Sequence, residues 1–145
     1  MEEVGNQVQY SRVHYNNVDP HFRDECFRLY WLSCGMLGLN PDVTPIPIHF
    51  IKLDPDCEKP FYTDFEQVKG VAFGLCYKIY ISTDYPLEDA LFTVAHELRH
   101  IHQYEKYGFR VGYQKELSSI LESDADQFAA KACRQFQHQN MILHL

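Results

Sequence analysis

No stretch of this sequence approaches the ~20 consecutive apolar residues that a membrane-spanning helix requires, so no membrane partner is expected. The first ten residues, MEEVGNQVQY, are acidic and carry no apolar run, so no secretory signal is expected there. No run of Lys or Arg occurs, and the formal net charge is -7. A nucleic-acid partner is therefore not expected, since neutralising phosphates needs a basic face. The five cysteines, Cys26, Cys34, Cys57, Cys76 and Cys133, are odd in number and include no CxxC pair. They read as reduced thiols rather than a disulfide framework or a cysteine-rich zinc site, which fits a cytoplasmic location. There is no internal repeat, no low-complexity segment and no linker. A chain of 145 residues then suits one domain spanning 1–145.

What is present is a sequence of ordinary hydrophobic content, 46%, rich in rings, with ten Tyr and ten Phe to fill a core. Residues 1–18 are polar and are expected to be irregular. Asp19-Pro20 reads as an N-cap followed by Pro at the first helical position. The segment after it repeats Phe22, Cys26, Leu29, Tyr30 and Leu32 at roughly helical spacing until Gly38 and Asn40-Pro41. IPIHFIKL, residues 46–53, reads as a strand, and residues 54–66 as a loop. Residues 70–82 read as two short strands around a turn near Gly74. In the second, Tyr77, Ile79 and Ile81 alternate with Lys78, Tyr80 and Ser82, the period of a half-exposed strand.

A second helix is predicted from near residues 83–86 to Tyr107, with Gly108 as its stop and Leu87, Leu91, Val94, Leu98 and Ile101 as its core stripe. After a turn-rich stretch, a third is predicted over about 115–137, burying Leu117, Ile120, Leu121, Phe128, Ala132 and Phe136. The tail beyond it either extends the helix, caps the core, or lies in the cleft and makes the protein latent. The order of elements predicts an α+β domain, a small mixed sheet beside a pair of helices with a further N-terminal helix.

The chemistry concentrates in His96-Glu97-Leu98-Arg99-His100, an HExxH motif. Residues four apart on a helix share a face, with Cβ atoms about 5–6 Å apart. Two imidazoles so placed can converge on one zinc ion. At 100° per residue they point roughly opposite the apolar stripe, towards a cleft. Glu97 sits beside them, placed to accept a proton from water without ligating the metal. Composition alone would give such a motif by chance only about 3% of the time.

Downstream, Glu122 and Asp126 are again four apart. Glu122 can complete a His₂Glu set with one position left open, the pattern of catalytic zinc. Asp126, one turn on, can take the free ring N–H of a ligand histidine. Tyr104, Tyr107, Tyr113 and His138 remain open as candidates to stabilise an oxyanion. His102 projects about 80° away from the ligand face.

HELRH followed by ExxAD, here Glu122 to Asp126, resembles the gluzincin metallopeptidases. The run IYIS, Pro86 and FTVAHELRH looks most like the minimal ImmA/IrrE-type proteases and the compact minigluzincins. The similarity covers roughly residues 69–132. Arg99 stands where ImmA-like proteins usually carry Gly. Gln103 and Lys106 mean that HExxHxxGxxH is absent. The resemblance implies a minimal zincin-like domain, peptide-bond hydrolysis with Zn²⁺, and a protein or peptide substrate lying along an edge strand, a role it places on Cys76–Ser82. A zincin-fold binding module without catalysis, a closed structural zinc site and a hydrolase of non-peptide amides stay open as alternatives.

Metal analysis tests the ligand set. Wild type is expected to carry one zinc ion per chain, and His96→Ala and Glu122→Ala are both expected to lose it. Loss in the first variant alone would place the third ligand elsewhere.

Overall fold

The computed structural model describes residues 13–15, 18–53, 70–73, 78–108 and 115–143. The expected loop at 54–66, the turn near Gly74, the turn-rich stretch before residue 115 and the beginning of the Cys76–Ser82 strand lie outside the described residues. So do Cys57, Tyr113 and His144.

The helix expected after Asp19 spans Pro20–Leu37 (α1), and both of its ends follow from local chemistry. Asp19 accepts a hydrogen bond from the Phe22 N–H at 3.1 Å, and Pro20 occupies the first turn, where its missing donor is harmless. Gly38 closes the helix at φ 75, a left-handed conformation that a side chain would resist. The inner face of α1 carries Cys26, Leu29, Tyr30, Cys34 and Leu37. It packs through rings, Phe22 and Phe27 meeting Phe50 edge-on at 6.1 and 6.0 Å. The Tyr30 hydroxyl is buried and donates to Ile46 O at 2.8 Å, tying α1 to the entry of the sheet.

That sheet has four short strands: Val13–Tyr15 (β1), Ile48–Leu53 (β2), Gly70–Phe73 (β3) and Lys78–Ser82 (β4), in the order β1-β2-β4-β3. β2 and β4 run parallel, with Ile48 beside Ile79 and Phe50 beside Ile81. β1 and β3 flank them antiparallel. The sheet is therefore mixed and the domain is α+β, as the order of elements predicted.

Three strand expectations need correction. Residues 13–15, expected irregular, form β1, because antiparallel pairing with residues 51–53 of β2 supplies what the local sequence does not advertise. β4 is not half-exposed: Tyr80 is buried along with Ile79 and Ile81, and it stacks on His49 at 5.0 Å. Nor is β4 an edge. Among the described residues Lys78–Ser82 has a strand on both sides, so this part of Cys76–Ser82 is not the edge that the peptide-binding role assumed. Among the described residues the outer strand on this side of the sheet is β3.

The second helix spans Leu87–Tyr107 (α2), between Pro86 and Gly108, with Glu88 and Asp89 in its first turn, where the helix dipole favours acids. Val94, Leu98 and Ile101 are fully buried; Leu87 and Leu91 are only half-buried. The third helix runs Lys115–Leu143 (α3), six residues past the expected end. Its buried face is Ala125, Phe128, Ala129, Ala132 and Phe136. Ile120, assigned to that stripe, is 61% exposed, because it lies on the turn before α3 meets the core. The described part of the tail extends the helix: Met141, Ile142 and Leu143 continue it and are exposed. Among the described residues no helix is long and apolar enough to cross a membrane.

Leu98 is completely buried in the middle of α2. Leu98→Ala is expected to reduce stability by about 2–5 kcal/mol, read from the urea midpoint of the metal-free protein. A loss below about 1 kcal/mol would mean that the packing around this position collapses to fill the space.

Candidate metal centre

Four residues of α2 succeed one another at intervals of four: Phe92, His96, His100 and Tyr104. On a helix they form a ladder along one face. Phe92 lies against the His96 ring at 6.2 Å and 29°, and Tyr104 against the His100 ring at 6.3 Å and 19°. The two imidazoles are thus held between aromatic neighbours, one turn before and one turn after. They meet edge-on at 4.6 Å, with Nε2 atoms 3.1 Å apart.

The face opposite the apolar stripe is not an open cleft. α3 lies across it, so His100 is buried and His96 nearly so. From α3 the Glu122 carboxylate reaches both rings: Oε1 is 3.2 Å from His96 Nε2 and Oε2 is 2.8 Å from His100 Nε2. The ligand atoms of His96, His100 and Glu122 lie within 4.8 Å of one another, a group that can hold a metal ion. Four donors around one zinc at ~2.0–2.1 Å in a tetrahedron stand ~3.3 Å apart, close to the spacing seen here. The Glu122 side chain is 56% exposed, so solvent reaches the group at this carboxylate.

Glu97 is buried, and its Oε2 lies 4.0 Å from His96 Nε2. It stands beside the donor group without joining it. Asp126 Oδ1 approaches His96 Nδ1 to 2.9 Å, on the side of the ring away from Glu122. The approach is oblique, and Nδ1 makes no directed hydrogen bond.

The electrostatics follow from this crowding. Burial opposes charge on His96 and His100, but the bonds to Glu122 and the charge of Glu97 outweigh it, so both rings hold their protons more tightly than an ordinary histidine. Glu122 responds in the opposite sense. Its bonds to His100 and then His96 hold its carboxyl well below the usual carboxylate range.

Behind the donors lies a polar network that the sequence did not disclose. His100 Nδ1 is 2.8 Å from Gln103 Oε1. Gln103 Nε2 donates to Leu121 O at 3.0 Å and to Asp124 Oδ2 at 2.8 Å. Arg99 grips the same Asp124 with two bonds, 2.7 and 3.0 Å, and covers the Phe128 ring. Its third nitrogen meets His102 Nδ1 at 3.2 Å, which places His102 beside this network and not at the donor group. Of the oxyanion candidates, Tyr104 stacks on His100 beside the donor group, Tyr107 sits exposed at the end of α2, and His138 is exposed on α3.

No protein-family model, curated protein or solved structure matches the chain. What the molecule itself defines is an α+β chain in which two helices bring His96, His100 and Glu122 together as a group able to hold a metal ion.

The pH dependence of the metal-free protein has a definite sign. Glu122, depressed from 4.5, contributes stability that is lost as pH falls below the ordinary carboxylate range. His96 and His100, raised from 6.5, contribute stability that is complete below 6.5 and lost as pH rises through their folded values. Metal-free wild type is therefore expected to melt highest between these limits and to lose stability above them. Glu122→Gln is expected to flatten that profile, and an unchanged profile in thermal scans would deny the pairing.

Proposed function

We propose that the protein is a zinc-dependent peptidase of the gluzincin type, in which His96, His100 and Glu122 hold the ion and Glu97 is the catalytic base. The observation that carries this reading is the position of Glu97. Two imidazoles and one carboxylate suit zinc, and equally suit the iron(II) of oxygenases. A further carboxylate 4.0 Å from a ligand nitrogen, buried yet outside the donor group, suits hydrolysis, which needs a base for water. Bound here, zinc would supply Lewis acidity, polarising a scissile carbonyl and acidifying water.

The remaining work falls to the chain's own side chains. Glu97 takes the proton of the attacking water and passes it to the amine as the C–N bond breaks. Partial burial strengthens each electrostatic contact it makes. Asp126 stands behind His96, its Oδ1 2.9 Å from Nδ1, and places negative charge on the side of the ring away from the donor group. The exposed Glu122 side leaves an approach for a protein or peptide substrate. With β4 paired on both edges, β3 is the strand beside α2 that offers an outer edge to an extended peptide.

Glu97→Gln keeps the shape of the side chain and removes the base. It is expected to retain zinc and to lose about 10²–10⁴-fold in turnover of a mixed peptide substrate. Equal turnover by wild type and variant would eliminate the peptidase reading and leave a metal-binding module.

A further inference from the structure

Gln103 is only 2% exposed and lies one turn beyond His100 on α2. Every bond its amide makes has a fixed direction. The two groups it meets on α3, Leu121 O and the Asp124 carboxylate, are acceptors only. The NH₂ end of the amide must therefore face α3, and turning the amide over would set oxygen against oxygen. Its carbonyl oxygen is then obliged to face α2, where it meets His100 Nδ1 at 2.8 Å. An oxygen there needs a proton to accept, so Nδ1 is the protonated nitrogen of His100. In the neutral ring Nε2, the atom turned towards Glu122 and His96, is then the nitrogen that can offer a lone pair to an ion.

The same amide also spans the two helices. Leu121 and Asp124 bracket Glu122 in sequence, so bonds from Gln103 to both fix the height at which Glu122 stands opposite the imidazoles. Asp124 is in turn held by both bonds of the Arg99 fork, which starts from α2 between the two histidines.

We propose that Gln103 is the positioning residue of the metal centre: one buried amide selects the nitrogen of His100 that faces the ion and sets the register of α3 that delivers Glu122. The proposal rests on the metal reading above and adds to it a residue outside the HExxH and ExxAD motifs. A buried glutamine that merely filled space would leave both the ring tautomer and the metal affinity untouched when replaced by an apolar side chain of similar length.

The experiment uses full-length protein labelled with ¹⁵N-histidine, with zinc alone as the probe. In zinc-loaded wild type, His100 is expected to coordinate through Nε2 and to show an Nδ1 proton that exchanges slowly with water. Coordination through Nδ1, or an Nδ1 proton exchanging at the rate of an exposed ring, would overturn the proposal. Gln103→Met is expected to weaken zinc binding by about 10–100-fold, measured by competition with a chelator. Unchanged affinity in a folded Gln103→Met protein would likewise overturn it. Should that variant not fold, the wild-type spectrum decides by itself. Wild type that binds no zinc would remove the metal reading and the proposal together, whereas wild type that binds zinc no better than Gln103→Met removes the proposal alone.

Discussion

The structure depends on how α3 is laid across α2. α2 by itself presents two imidazole nitrogens 3.1 Å apart, a spacing at which the rings can share one proton but have no counter-charge for a second. α3 by itself presents carboxylates on a surface. Only their crossing supplies each with what it lacks. Small side chains sit at the crossing, since Ala125, Ala129 and Ala132 share the buried face of α3 with Phe128 and Phe136. Leu98 and Ile101 supply apolar burial beneath it. Apolar burial is not directional, however, and would tolerate a slide of α3 along its axis. The bonds from Gln103 and Arg99 are directional and would not.

This division explains what the sequence disclosed and what it withheld. The histidine pair was legible because its geometry is local: four residues on one helix put two rings on one face whatever the rest of the chain does. Glu122 was legible from its place in a second spacing of four joined to the first, whereas Asp126, expected to accept a ring N–H, comes to 2.9 Å of His96 Nδ1 without a directed hydrogen bond. The caps of α1 were legible because Asp19, Pro20 and Gly38 act on their own helix ends. Gln103, Arg99 and Asp124 carried no such mark. Polar residues scattered along an amphipathic helix ordinarily mean a solvated face, and these declare themselves only through partners 18 to 25 residues away. Phe92 and Tyr104 were hidden differently, since an aromatic four residues from a histidine is indistinguishable from core until the rings are seen stacked.

The sheet was misread at the same level. β4 alternates like a surface strand, and alternation reports on neighbours only when one face meets water. Here His49 comes over Tyr80 from β2, so the polar-looking face is covered as well. That β4 has partners on both sides follows from pairing with β2, some thirty positions earlier, and with β3. No feature of residues 76–82 specifies those pairings. Among the described residues the outer strand beside α2 is therefore β3 and not β4, a correction that only long-range topology could supply.

Asp124 poses a final question, since it lies two residues from Glu122 on the helix whose Glu122 carboxylate meets both Nε2 atoms. A second free carboxylate nearby would add negative charge to the donor group and compete for any ion there. Arg99 removes the difficulty by taking both oxygens of Asp124, with Gln103 sharing one of them. The carboxylate is thereby saturated and held below its usual range, first by the Arg99 bonds. Arg99 stands between the two histidines, at the position where a glycine would be expected from the ImmA-like resemblance. A glycine could neutralise nothing. The arginine and Asp124 therefore make sense only as a pair, one on each helix, and the pair serves two ends: it leaves Glu122 as the carboxylate that meets both ring nitrogens, and it anchors the far end of the amide that orients His100.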